Sequence, residues 1–186
     1  FFKQKTAYEI RNCDWSSDVC SSDLYTVPSN TTSVTLGSGG TIPQTYTDLV
    51  LIINANFYNQ DVTCLRFNGY STSIYACSRL FFDGSNLYFE VDNSATSINL
   101  FRSGNGSTTD SLGTIVCNIN NYSNTSKSKQ VLSRNASLPQ RGTTPNMCSG
   151  LYNRTDAITS ITILSDGSST ITAGTKFALY GIKGGV

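Results

Sequence analysis

Lys176-Phe177-Ala178-Leu179-Tyr180-Gly181-Ile182 lies close to the end of the chain and alternates cleanly. Phe177 and Leu179 face one way, Lys176 and Ala178 the other. A two-residue period is that of a β-strand whose sides meet different surroundings, and the short, clean run is expected to lie inside a sheet. The same reading places Leu87, Phe89 and Val91 on an inward face, with Tyr88 and Glu90 opposite. The longest apolar run, residues 49–53, is of strand length and falls far short of the ~20 residues a membrane helix needs. Further strand-like runs cover residues 32–36, 48–57, 62–67, 74–82, 98–101, 112–119, 130–133 and 158–164. Between them stand Gly37-Ser38-Gly39-Gly40, Asn68-Gly69, Asp83-Gly84, Gly104-Asn105-Gly106 and Asp166-Gly167, which supply the positive φ values of tight turns. Residues 120–129 and 135–147 read as exposed loops. About ten short strands at this spacing predict an all-β domain, a two-sheet antiparallel β-sandwich of jelly-roll or concanavalin-like type.

The first 24 residues stand apart. Lys3-Gln4-Lys5-Thr6-Ala7-Tyr8-Glu9-Ile10 resembles the in-frame translation of a sequencing adapter, and Asp14-Trp15-Ser16-Ser17-Asp18-Val19-Cys20-Ser21-Ser22-Asp23-Leu24 resembles the remainder of that adapter. Arg11, Asn12 and Cys13 occupy the variable index between the two constant parts. Residues 1–24 are therefore expected to be non-natural and disordered, natural sequence to begin near Tyr25, and the true N-terminus to be missing. Segments of this kind are set aside before fold reasoning. The only tryptophan, Trp15, and two of the six cysteines, Cys13 and Cys20, go with it.

Residues 25–186 suit one domain with a sizeable core. Without Lys3, Lys5, Arg11 and Glu9, Asp14, Asp18, Asp23, ten basic and eight acidic residues remain, a formal charge of +2. That is too small for binding through phosphate neutralisation, so no nucleic-acid partner is expected. Lys127, Lys129, Arg134 and Arg141 form the only basic stretch and read as a solvated loop and strand. Cys64, Cys77, Cys117 and Cys148 are widely spaced and form no CxxC pair. Two disulfides fit the count, but reduced, buried thiols are expected. Six Asn-x-Ser/Thr sequons begin at Asn30, Asn105, Asn121, Asn124, Asn135 and Asn153. With 16 Asn and 44 Ser or Thr among the residues after Leu24, chance alone supplies about four, so glycosylation is not implied.

Chemistry-bearing constellations are scarce. The chain has no histidine, which removes the Ser-His and Cys-His nucleophile pairs and the commonest general base. A zinc site would need all four thiolates gathered from distant segments, and no metal or other cofactor is expected. One glutamate, Glu90, and seven aspartates remain after residue 24. Most of these, Asp48, Asp61, Asp83, Asp92 and Asp166 among them, stand at turns or strand edges, where aspartate serves the backbone. A glycosidase would need two carboxylates facing a sugar; Glu90 and Asp92 are the pair to test. Gly37-Ser38-Gly39-Gly40 precedes Thr41-Ile42-Pro43 instead of a helix start and reads as a turn. Tyr70, Tyr75, Tyr88, Tyr122 and Tyr152 could stack on sugar rings or line an interface, though tyrosine also fits half-buried strands. No catalytic, cofactor-binding, metal or ligand-binding residue is singled out.

Four segments occur in order across nearly all of residues 25–186: Ile42-Pro43-Gln44-Thr45-Tyr46-Thr47-Asp48-Leu49-Val50, Leu65-Arg66-Phe67-Asn68-Gly69, Ala157-Ile158-Thr159-Ser160-Ile161-Thr162-Ile163 and Gly174-Thr175-Lys176-Phe177-Ala178-Leu179-Tyr180-Gly181-Ile182. A weaker fifth is Ile119-Asn120-Asn121-Tyr122-Ser123. The ordered set resembles a domain found at the C-terminal ends of many tailed-bacteriophage virion proteins. The resemblance implies a jelly-roll or concanavalin-like sandwich in a tail or fibre protein, with no catalytic residue to carry over. It departs near Leu151-Tyr152, where tyrosine stands in place of an expected tryptophan. The resemblance further implies a non-enzymatic virion module for assembly or host attachment, made in the host bacterial cytoplasm. Its partners would be other virion proteins, further copies of itself (a trimer in the usual fibre arrangement) and a host surface glycan. The competing expectation is a carbohydrate-binding module of a secreted cellular protein or enzyme. Locally, Asn68-Gly69 is expected to close a hairpin and Asp48 to cap the turn before a core strand.

Overall fold

The computed structural model describes residues 19–37, 41–57, 62–82, 85–102, 111–137, 146–166 and 170–183. Among the described residues there are twelve strands: β1 (Val19–Thr26), β2 (Ser33–Leu36), β3 (Asp48–Phe57), β4 (Val62–Phe67), β5 (Tyr75–Phe82), β6 (Leu87–Ala95), β7 (Ile98–Arg102), β8 (Ser111–Asn120), β9 (Lys129–Ser137), β10 (Asn146–Tyr152), β11 (Ile161–Asp166) and β12 (Lys176–Ile182). They form an eight-stranded sheet, β1-β12-β3-β8-β9-β10-β5-β6, and a four-stranded sheet, β2-β11-β4-β7. All pairings are antiparallel. The protein is an all-β, two-sheet antiparallel β-sandwich.

The alternation read at the C-terminus holds. Phe177 and Leu179 are buried, Lys176 is exposed, and β12 lies between β1 and β3. Register carries the inward face across the large sheet: Leu179 opposes Leu51, which opposes Cys117, while Phe177 opposes Ile53, which opposes Ile115. The small sheet answers with Val34, Leu36, Leu65, Phe67, Ile98, Ile161 and Ile163, all buried in the same cluster.

The other half of the large sheet reverses the expected pattern. Leu87 and Phe89 are each 68% exposed and Val91 is 52% exposed, so the predicted inward face of β6 is its outward one. The inward pairs explain why. Glu90 forms an ion pair with Arg79, and Tyr88 stacks on Phe81 with ring centroids 5.1 Å apart. Both pairs lie directly across the β5–β6 ladder. A one-residue slip of β6 that buried Leu87, Phe89 and Val91 would send Tyr88 and Glu90 to the outward face and leave Phe81 and Arg79 without them.

Three further expectations change. Asn68 and Gly69 have φ of 52° and 71°, and Tyr70 N–H closes the turn on Phe67 O at 3.0 Å. However, β4 and β5 belong to different sheets, so the turn carries the chain between layers and closes no hairpin. Residues 120–129 are not wholly exposed, since Tyr122 and Lys129 are fully buried. Of residues 135–147, 135–137 extend β9 and 146–147 begin β10; the remainder lie outside the described residues.

The adapter-like segment also meets the fold. Residues 1–18 lie outside the described residues, but 19–24 form the first part of β1, pairing with β12 from Val19↔Ile182 to Leu24↔Ala178. The expected boundary at Tyr25 therefore falls within a strand, and the expected disorder does not extend over 19–24. Strand pairing is made by main-chain N–H and C=O groups, so an open sheet edge accepts an extended segment with little regard to its side chains.

Candidate functional site

The outward face of the large sheet is the candidate site. Two rows of outward side chains cross β9, β10, β5 and β6. In one, Arg134 opposes Met147, Met147 opposes Leu80 and Leu80 opposes Phe89. In the other, Leu132, Ser149, Ser78 and Val91 follow the same ladder. Met147 is 52% exposed and Leu132 48%. Large exposed apolar side chains gathered on one face, here interspersed with Arg134, Ser149 and Ser78, make it the candidate contact surface. Beside it lies a groove of about 400 Å³, lined by Ala76, Ser78, Asn120, Gln130, Leu132, Ser149 and Leu151. Its hydroxyl and amide groups fit a polar, hydroxyl-rich ligand, and its leucines fit an apolar body. Beneath this surface the inward face is unusually polar. Arg79, Ser133 and Asn135 are buried there, and Ser133 Oγ and both polar atoms of the Asn135 side chain make no hydrogen bond among the described residues.

Three of the four quoted segments, 42–50, 65–69 and 157–163, meet the weaker fifth, 119–123, elsewhere, at one end of the sandwich. Asn68 Nδ2 donates to Asp156 Oδ2 and to Ala157 O, both at 2.8 Å. Asn68 Oδ1 accepts from Thr159 N–H at 2.8 Å, Thr159 Oγ1 at 3.2 Å and Ser160 N–H at 3.2 Å. Tyr122 O–H donates to Pro43 O, Ile158 N–H to Tyr122 O at 2.8 Å and Ile42 N–H to Thr159 O at 2.9 Å. Asp48 Oδ1 accepts Asn121 N–H at 2.7 Å, so Asp48 ties two segments together and does not cap its own turn. This end is a structural framework: the groups that could meet a ligand are spent on one another.

Asp156 sits at the centre of that framework. Its burial pushes the carboxyl pKa up, but hydrogen bonds from Asn68, Arg154 and Tyr152 together outweigh this and hold it below the usual carboxylate range. Lys129, fully buried, donates to Lys127 O at 3.0 Å and Thr155 O at 2.7 Å. Desolvation pushes its pKa down, against the pull of Asp156. The Asp156 carboxylate adds stability that is fully present above its unfolded pKa of about 4 and is lost as pH falls through the lower folded value. Urea midpoints of the wild type are expected to fall between pH 4 and pH 2 more steeply than those of Asp156→Asn. Parallel profiles would contradict the assignment.

The remaining sequence candidates separate clearly. Tyr75, Tyr122 and Tyr152 are buried and belong to the core; Tyr70 is partly buried against it. Tyr88, stacked on Phe81 at the edge of the large sheet, is the most exposed of the five at 39%. In the basic stretch, Lys127 and Arg134 are exposed, while Lys129 is interior and no part of a solvated face; Arg141 lies outside the described residues. Cys64, Cys77, Cys117 and Cys148 are buried thiols, and Cys64 Sγ donates to Asn99 Oδ1 at 3.0 Å. Burial pushes Cys117 up to about 12. Cys77 and Cys148, on neighbouring strands, are hydrogen-bonded to each other, which raises Cys148 and lowers Cys77. Glu90 is held by Arg79, and Asp92 Oδ1 accepts Ser94 N–H at 2.9 Å. Asp61, Asp83 and residues 38–40 of the glycine-rich turn lie outside the described residues. Among the described residues no group of three His, Cys, Asp or Glu converges in a metal-binding arrangement, and no helix is long and apolar enough to cross a membrane. Sequence reading missed the outward surface because it assigned its largest side chains to the core.

Comparison with protein-family models, curated proteins and solved structures finds no match.

Proposed function

We propose that residues 25–186 are a structural module of a tailed-phage virion, from a tail or fibre protein, which works by contact and not by turnover. The observation that carries this is the outward face of the large sheet, where Leu80, Leu87, Phe89, Val91, Leu132 and Met147 are all exposed. Such side chains lose hydration cost when another protein covers them. The ordered segments at the framework end supply the link to phage proteins. Assembly would take place in the bacterial cytoplasm, with neighbouring virion proteins or further copies of the chain as partners. The polar groove beside the apolar rows offers hydroxyl and amide groups to a host-surface glycan.

Peptide mass spectrometry on purified virus-like particles tests this reading. Trypsin should release residues 80–102 from the domain and residues 6–11 from the adapter-like segment. Recovery of the first peptide without the second from the particle fraction is expected. Recovery of residues 80–102 only from cellular or secreted fractions would overturn the virion reading in favour of a cellular carbohydrate-binding module.

A further inference from the structure

We propose that β6 is a two-fold interface through which two copies of this chain join their large sheets edge to edge. The inference goes beyond the virion reading and does not depend on it. Among the described residues β6 pairs with β5 alone, so one side of its backbone is open. Edge strands are commonly blunted by being short or by carrying lysine, proline or a bulge. The small sheet's edges, β2 and β7, are four and five residues long. β6 has nine residues, Leu-Tyr-Phe-Glu-Val-Asp-Asn-Ser-Ala, with neither lysine nor proline, and its inward Glu90 is engaged by Arg79. Its register with β5 shifts only beyond Asp92, between the Cys77↔Asp92 and Tyr75↔Ala95 pairs. The regular, open part is therefore 87–92.

The occupant is set by how this segment matches itself. A two-fold axis normal to the sheet keeps both outward faces on the same side and sets residue i opposite a residue of the same face. Centred on Phe89, it places Phe89 opposite its own copy, Leu87 opposite Val91, and Tyr88 opposite Glu90. The outward row is then wholly apolar, and on the inward row each carboxylate of Glu90 meets a tyrosine. Centred on Glu90 instead, it would set two carboxylates face to face, which is unfavourable. Side chains directly opposite in such a pair lie with Cβ atoms about 5 Å apart, close enough for the exposed Phe89 and Leu87 to cover one another. The chain's formal charge of +1 offers little repulsion between copies. The joined sheet would have eight strands from each copy, with the Met147–Leu80–Phe89 rows continuous across the axis. A three-fold fibre contact would need one patch to fit a different patch, whereas β6 fits itself.

Sedimentation velocity of the full chain at tens of micromolar tests the proposal. The expected species is a dimer of about 40 kDa, twice the 20.1 kDa chain. Phe89→Lys, which sets two ammonium groups against each other at the axis, should weaken it about a hundredfold. The urea midpoint, read at a dilution where both chains are monomeric, should hardly change, because Phe89 is 68% exposed. Leu132→Lys, on β9, should leave the dimer intact. As a second measurement, Phe89→Cys in a background of Cys13→Ser and Cys20→Ser should yield a disulfide-linked dimer with oxidised glutathione, whereas Val91→Cys, which opposes Leu87, should not. A wild-type monomer, a trimer, a dimer indifferent to Phe89→Lys, or equal cross-linking from positions 89 and 91 would each overturn it.

Discussion

Tyr152→Ala is expected to lower the unfolding free energy by about 4 kcal/mol, the scale of an aromatic-to-alanine change in a packed core. Tyr152 is fully buried. Its ring stacks on Tyr75 at 5.5 Å and meets Phe67 edge-on at 5.2 Å. It joins the two sheets, since Tyr152 and Tyr75 lie on neighbouring strands of the large sheet while Phe67 ends β4 of the small one. Truncation would open a void beside the Tyr75 and Phe67 rings and strip Asp156 of the hydroxyl that donates to it at 2.9 Å. Tyr152→Phe keeps the rings packed and removes only that bond, for about 1 kcal/mol. At 2–4 °C per kcal/mol for a domain of this size, the alanine variant should melt roughly 8–16 °C lower. Urea and thermal unfolding of both variants measure the difference, and equal losses would show that the hydroxyl, not the ring, carries the effect.

Asn68→Ala should cost about 3 kcal/mol, although Asn68 is not fully buried. One side chain serves five hydrogen bonds across the 156–160 segment, and its φ of 52° is a conformation that asparagine and glycine tolerate better than alanine. Asn68→Gly separates the two contributions, because it keeps the turn's backbone freedom and loses only the bonds. It should cost about 2 kcal/mol. Losses below about 0.5 kcal/mol for both would mean that the turn and the 156–160 segment are held together by other contacts.

The resemblance-bearing segments have a physical unity that spacing alone could not reveal. Asn68, Tyr122, Ile42 and Ile158 are remote in the chain and meet at one end of the sandwich. In sequence, Asn68-Gly69 is legible only as a turn. β3 and β12 were legible because their inward positions are apolar and their pattern is that of a half-buried or central strand. β10 was not. Its inward residues are Asn146, Cys148, Gly150 and Tyr152, while Met147 and Leu151 point outward, so polar and small groups lie inside and larger apolar ones outside. The same inversion misdirected β6. Hydrophobic alternation identifies a strand's two faces, but it assigns the wrong one to the core where a half-exposed ion pair such as Arg79–Glu90 lies on the inward side and the apolar side chains stay exposed. The inverted half of the sheet, β9-β10-β5-β6, is also the half that carries the candidate site.

Met147 offers the most direct test of that surface. It is the chain's only methionine and stands 52% exposed on the outward face, between Arg134 and Leu80. Dilute hydrogen peroxide converts an accessible methionine to its sulfoxide, adding about 16 Da, and trypsin places Met147 in the peptide spanning residues 142–154. Oxidation of intact particles and of the isolated chain, followed by mass spectrometry of that peptide, reports whether the face is covered. Rapid oxidation is expected in the dissociated chain and strong protection in the assembled particle. Equal rates in the two would show that the outward face of the large sheet is not where this protein makes its contacts.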